Sequence, residues 1–189
     1  MRCANCGEFS LAFLCGSCKR VLAESRLFVR EIDGFKIYYF YDFSEVKNLI
    51  HSKHYMHGRF VLNSLCKLSF KNFSKIFKPN FALNAIAIDD RNFGGYSHNA
   101  ILSRALKSEF IKPIFGALHA TSNVKYSGEN LKFRQSNPRN FKILKEPRFP
   151  VILVDDVVTT GTTMLEARDT FIKAGFEVAF GIVLADARS

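Results

Sequence analysis

No tryptophan occurs among the 189 residues, prolines and cysteines number five each, and no apolar run approaches the ~18 residues needed to span a bilayer. Membrane insertion is therefore not expected. The chain opens Met1-Arg2-Cys3 with no signal-peptide core behind it, so a cytoplasmic location is expected, and a disulfide framework there is not. The sequence has no internal repeats and no low-complexity segment. The nucleotide-binding pattern G-x-x-x-x-G-K-[ST] is also missing, and a nucleoside triphosphatase reading fails for want of its lysine.

Phenylalanine, by contrast, is abundant at 20 residues, and most of those rings have to be core if the protein is to stay dispersed. The net charge of +10 is unevenly spread. Residues 1–148 hold 24 Lys+Arg against 11 Asp+Glu, whereas residues 149–189 hold 3 against 6. A basic body with a locally acidic carboxyl end suits a polyanionic partner together with a phosphate site; plain solubility is the competing explanation. Length allows one sizeable α/β core and a small satellite.

Three regions separate: 1–24, a Cys-rich module; 25–81, an aromatic strand-and-helix segment packing on the core; and 82–189, an α/β domain. Phe35 to Tyr41 is aromatic and β-branched enough for a strand. Asp42 and Glu45 then make a capping box that opens a helix to about His51. One longer helix is expected across Val61, Leu65, Leu68 and Ile76, carrying Lys67, Lys71, Lys75 and Lys78 as a solvated face or an anion-binding stripe. Ala82–Ile88 reads as a buried strand, Ser97 as the cap of the next helix, and Ile111–Leu118 as a weaker strand. No element is legible from His119 to Pro150, and a structureless stretch that long is either functional or misread.

Cys3, Cys6, Cys15 and Cys18 form C-x2-C-x8-C-x2-C. Two thiolates two residues apart grip one face of a tetrahedral metal, and two such turns close a four-sulfur site with no open position. Zinc is the expected metal, in a structural role, supplying the folding free energy that so short a module lacks. Paired redox cysteines and an iron–sulfur cluster are the rivals. Cys66 reads as a packed helix residue. His51, His54 and His57 are three apart, but no carboxylate or thiolate joins them locally.

The most specific stretch is Val151 to Thr163, V-I-L-V-D-D-V-V-T-T-G-T-T. Four apolar residues after Pro150 suit a central parallel strand, with Asp155 and Asp156 at its carboxyl end, where α/β sheets place ligands. Val158, Thr159, Thr160, Gly161, Thr162 and Thr163 then lead into a helix. Backbone N–H groups at that turn and hydroxyls around it form an anion site, and Gly161 lets the backbone approach closely. The carboxylates are placed for ribose hydroxyls, directly or through Mg²⁺.

These thirteen residues resemble the 5-phosphoribosyl-1-pyrophosphate (PRPP) signature of type I phosphoribosyltransferases. The resemblance implies an α/β fold with a parallel sheet flanked by helices. It puts Asp155 and Asp156 on the ribose diol, residues 158–163 on the 5-phosphate, and Asp89, Asp90 and Arg91 in the pyrophosphate loop. The purine-base members' Asp is replaced here by Thr159. With the cysteine module in front, the layout resembles the ComF family of competence proteins, although that family's R-G-[FY]-N-Q stretch reads Gly94-Gly95-Tyr96-Ser97-His98 here. That resemblance implies handling of single-stranded DNA during natural transformation, alongside other DNA-uptake proteins. The alternative is an active phosphoribosyltransferase acting on an unidentified acceptor, for which no general base stands out. Residues 119–148 carry seven Lys+Arg and two acids among aromatic rings, the recipe for single-strand binding, with Arg134, Arg139, Lys142 and Phe141 as candidates. A loop closing over PRPP explains the same stretch.

Overall fold

The computed structural model describes residues 1–24, 26–55, 57–89, 96–122 and 138–188. After the cysteine turns comes α1 (Gly16–Ala23), then a hairpin of β1 (Phe28–Ile32) and β2 (Phe35–Asp42). Its turn, Asp33-Gly34, has φ of 48° and 70°, the consecutive left-handed pair that matches strand twist in two-residue hairpins. The expected capping box is present: Asp42 N–H donates to Glu45 Oε2 at 3.1 Å and opens α2 (Phe43–His51). A 3₁₀ turn (Ser52–His54) leads to α3 (Gly58–Leu68) and α4 (Phe70–Ile76). The single long helix expected over 61–76 is thus two. Ser69 leaves helical geometry at φ −114° and ψ −88°, its hydroxyl donating to the Leu65 carbonyl, and the break lets Phe70 and Phe73 turn onto Phe40.

The carboxyl-terminal part runs β3 (Leu83–Ala87), α5 (His98–Ala105), β4 (Ile111–Ile114), β5 (Leu118–Ala120), β6 (Phe141–Ile143), β7 (Val151–Val158), α6 (Thr162–Lys173) and β8 (Val178–Asp186). Ile111–Leu118, expected as one strand, is two strands parted by Gly116 at φ 63°. Part of the stretch read as structureless is also ordered, since β6 pairs antiparallel with β5.

The main sheet has the order β1-β2-β8-β7-β3-β4, all parallel except β1. Segment 25–81 therefore supplies two of its six strands. Each face buries its own core. On one side α2–α5 and the cysteine module cover Phe40, Ile152, Val154 and Ile182; on the other, α6 and the β5–β6 ribbon cover Ile37, Ile86, Leu153 and Val183. No helix among the described residues is long and apolar enough to cross a membrane.

The topology marks one place for a ligand. From β3 the chain passes through α5 to β4 on one side, and from β7 through α6 to β8 on the other. The crevice between the carboxyl ends of β3 and β7 is thus the switch point of the sheet, where open α/β folds bind ligands. β3 ends at Ala87, its pairing closed by Ile88 N–H donating to the Val154 carbonyl at 2.9 Å, while β7 runs on to Val158 with only β8 beside it. Asp155 and Asp156 therefore lie within β7 rather than beyond its end, because nine-residue β8 keeps pairing as far as Val158↔Asp186.

Candidate functional site

Alternation along β7 puts Asp156 on the same face as Ile152 and Val154, toward the helical layer. There the Lys53 ammonium, carried by the 3₁₀ turn, donates to Asp156 Oδ2, and His98 Nε2 stands 4.0 Å from the same oxygen. Burial opposes the charge on Asp156, but Lys53 and then His98 hold its carboxyl below the ordinary carboxylate range. Burial likewise opposes the Lys53 charge, and Asp156 more than restores it, so its pKa is raised. Asp155 goes the other way. Burial first, and then the charge of Asp156, push its carboxyl up to about 7, against the Asp156 backbone N–H, Lys53 and Arg139. The two carboxyls are thus shifted in opposite directions from the ordinary carboxylate range.

Neighbouring elements fix this arrangement. Asn99, in the first turn of α5, donates through Nδ2 to the Ile88 carbonyl at 2.7 Å and to Asp155 Oδ1 at 3.0 Å, tying the end of β3 to the acid pair. Its Oδ1 has no partner among the described residues. Tyr96 Oη donates to the Lys53 carbonyl at 2.7 Å. Gly58 lets the Lys53 turn pack closely against α3, since a Cβ there would stand 1.9 Å from the Ser52 carbonyl oxygen. Asp89, from the expected pyrophosphate loop, adopts φ 50° and accepts from the Ala120 N–H at 3.3 Å. Asp90 and Arg91 lie outside the described residues.

The loop after β7 has the features an anion needs. Gly161 takes the left-handed conformation, φ 82°, at the N-cap of the twelve-residue α6, where it has no side chain to cap the helix; in the first turn the Thr162 N–H donates to Thr160 Oγ1 at 3.5 Å, and the N–H groups that follow point toward the loop as an anion site would need. Thr160 and Thr162 hydroxyls meet at 3.0 Å. Val158 is buried at the strand's end.

Of the residues expected to contact DNA, Arg134 lies outside the described residues. Arg139 is turned inward: its Nη1 is 3.7 Å from Asp89 Oδ2, and its backbone N–H and that of Asn140 donate to Glu166 of α6 at 3.0 and 2.7 Å. Phe141 is half-buried against the core on the α6 side. Lys142 alone of the described three is exposed. A groove of about 540 Å³ runs along α6 from Thr162 past Glu166 to Lys173, with Phe141 opposite, and neither acid of the pair lines it.

The four cysteines come together, their sulfur atoms all within 4.8 Å of one another. Metal–sulfur bonds of about 2.3 Å in a tetrahedron require sulfurs about 3.8 Å apart, and Cys6 and Cys15 are 3.7 Å apart. Backbone N–H groups of Cys15 and Cys18 donate to the sulfurs of Cys3 and Cys15, and the Asn5 amide donates to that of Cys18. Burial opposes ionisation of Cys3, but the backbone N–H groups of Cys6, Cys15 and Asn5 bring it down to about 6. Cys18 is helped by Asn5 yet pushed up to about 12 by burial and the neighbouring sulfurs, a repulsion that a divalent cation would relieve. The set fits zinc and leaves no position for a substrate. Cys66 is buried in the core and burial pushes its thiol up, as suits a packed residue. His57 stacks with Phe13 and Tyr55, and His51 meets the ring of Phe43 edge-on.

Lys53 and Asn99 had no motif to announce them. The one available signal was indirect. A buried carboxylate needs a cation, and residues 46–88 hold seven Lys+Arg and no acid.

No known protein-family profile matches the sequence, and no curated protein does. Among solved structures, the UMP synthase of Leishmania donovani aligns over 89% of this chain and 30% of its own, at 16% identity and a TM-score of 0.40. A hypoxanthine phosphoribosyltransferase from Staphylococcus aureus aligns over 68% of this chain and 66% of its own, at 17% identity and a TM-score of 0.38. Likeness at this level carries no functional argument, so the site's own geometry has to.

Two outcomes follow from that geometry. Purified protein should carry close to one zinc per chain by metal analysis, and Cys15→Ser should lower it and expose the amino-terminal module to protease; full zinc in that variant would remove Cys15 from the ligand set. Asp155 should also leave a mark on stability. With its pKa raised from 3.8 to about 7 in the folded chain, the unfolded state releases the proton first. Stability contributed by the protonated form is therefore complete below pH 3.8 and is lost as pH rises toward about 7. Thermal unfolding across that window should show wild type losing stability relative to Asp155→Asn, and parallel curves would contradict the assignment.

Proposed function

We propose that the chain is phosphoribosyltransferase-like and binds PRPP in the switch-point crevice. One observation carries the reading: the acid pair and the Thr159–Thr163 loop meet at the switch point of the sheet, with Gly161 left-handed at the N-cap of α6. On this reading the loop N–H groups and threonine hydroxyls take the 5-phosphate, Asp155 and Asp156 take the ribose diol, and the unpartnered Asn99 Oδ1 is a further acceptor for a hydroxyl. The diphosphate would lie toward Asp89 and the residues that follow it. The carboxylates are not laid out as a magnesium cage, since Asp156 is paired with Lys53 and Asp155 is held by Asn99. Magnesium belongs to the proposal only as the companion of the diphosphate.

Calorimetric titration with PRPP tests the site. Gly161→Ala puts a Cβ 2.5 Å from Ile32 Cδ1 at a backbone angle that alanine resists. It should weaken PRPP binding by roughly tenfold or more, as a strain of ~1–3 kcal/mol at the loop implies. Asp155→Asn should weaken binding in the same direction. Wild-type affinity in both variants would place the ligand elsewhere.

A second reading is favoured by one surface. Lys67, Lys71, Lys75 and Lys78 are all exposed on α3, α4 and the turn beyond, within the acid-free stretch 46–88. With the ComF resemblance, this supports single-stranded DNA as a polyanionic partner in natural transformation, bound on the helical layer rather than at Arg139 and Phe141. Replacing Lys67, Lys71 and Lys75 with alanine should lower the logarithmic salt slope of oligonucleotide binding by about 2, at roughly 0.7 per phosphate contact. Fluorescence anisotropy over a salt series reads this directly, and an unchanged slope would move the DNA off that face. Active transfer is the alternative function; pyrophosphate release above the hydrolysis background, with nucleobase or DNA present, would establish it.

A further inference from the structure

Two contacts press the β1–β2 hairpin against the back of the phosphate loop. Arg30 Nη1 donates to the Thr159 carbonyl at 2.8 Å and to Asp186 Oδ1 at 2.8 Å. Ile32 sits behind Gly161, filling the space that a side chain at Gly161 would need. Asp186 is buried at the end of β8, and its other oxygen accepts from Arg188, which in turn donates to Tyr39 Oη at 2.9 Å. The Arg30 side chain is therefore held at two points, one of them a buried carboxylate fixed by a second cation.

This anchorage dictates what the loop presents in front. In a trans peptide the carbonyl of one residue and the N–H of the next point in opposite directions, and the described chain has no cis peptide. With the Thr159 carbonyl drawn back onto Arg30, the Thr160 N–H has to face the other way, out of the loop's front.

We infer that Arg30 is the positioning residue of the phosphate loop, turning the Thr159–Thr160 peptide so that its N–H meets a phosphomonoester. The role in ligand binding rests on the proposed 5-phosphate site; the orientation of the peptide does not. Removing Arg30 alone would strand the buried Asp186, so the informative variant is Arg30→Met combined with Asp186→Asn, compared with Asp186→Asn alone, which keeps the Thr159 contact. Hydrogen exchange at residues 159–163 and titration with ribose 5-phosphate and with pyrophosphate are the readouts. The double variant should exchange faster in the loop and bind ribose 5-phosphate roughly tenfold more weakly, as loss of a hydrogen bond to a charged group implies. Its pyrophosphate affinity should stay within about twofold of that of Asp186→Asn, because the loop defect touches only the monoester site. Equal loop exchange in the two variants would overturn the inference. Faster exchange in the double variant alone, with no ribose 5-phosphate binding by wild type, would uphold the positioning role and sink the 5-phosphate reading.

Discussion

Asp156 is a buried carboxylate directly beside another carboxylate, and removing a charge from water is unfavourable unless an opposite charge meets it in good geometry. Lys53 meets it from 103 residues away in sequence. Much of the amino-terminal half can be understood as what holds that lysine in place. α2 ends in the 3₁₀ turn that carries it, Gly58 lets α3 pack closely on the same turn, and Tyr96 ties down its carbonyl. The cysteine module joins the same assembly: Phe13, between the two cysteine pairs, stacks on His57 and Phe60 at the start of α3, and Tyr41 Oη donates to the Leu22 carbonyl of α1. The four-cysteine cluster is thereby packed against the elements that carry Lys53.

The crevice is a composite. β7 supplies the acids and the loop, α5 supplies Asn99 and His98, the helical layer supplies Lys53, and the hairpin backs the loop through Arg30 and Ile32. Glu166 of α6 then grips the backbone of residues 139 and 140, which sets Arg139 toward Asp89. The acid pair consequently sits among fixed cations, with the Asp156 carboxyl held below the ordinary range and the Asp155 carboxyl pushed above it.

Local patterns were legible in the sequence wherever chemistry is local. The capping box at Asp42 and Glu45, the Ser97 cap and the four-cysteine spacing each involve residues a few positions apart, and each lies where spacing placed it. Features set by distant partners were not. The break at Ser69 answers to Phe70 and Phe73 packing on Phe40, which no helical period records. β7 runs past the acids because β8 is long enough to pair with it, and β6 exists only because β5 lies opposite. Arg139 and Phe141 looked like an open cation and an open ring, yet an acid cluster and a core draw them inward. Lys53 and Arg30 are ordinary basic residues until the fold sets them against buried carboxylates.

On the proposed reading, one crevice binds a phosphoribosyl group through elements drawn from both ends of the chain. The most direct measurement is a crystal structure of the protein grown with PRPP and magnesium. The expected result is the 5-phosphate over Thr159–Thr163, with the Thr160 N–H among its donors, the ribose hydroxyls at Asp155 and Asp156, and Lys53 still on Asp156. Density for the ligand along the outer face of α6, or a crevice in which Lys53 has left Asp156 and no phosphate occupies the loop, would contradict it.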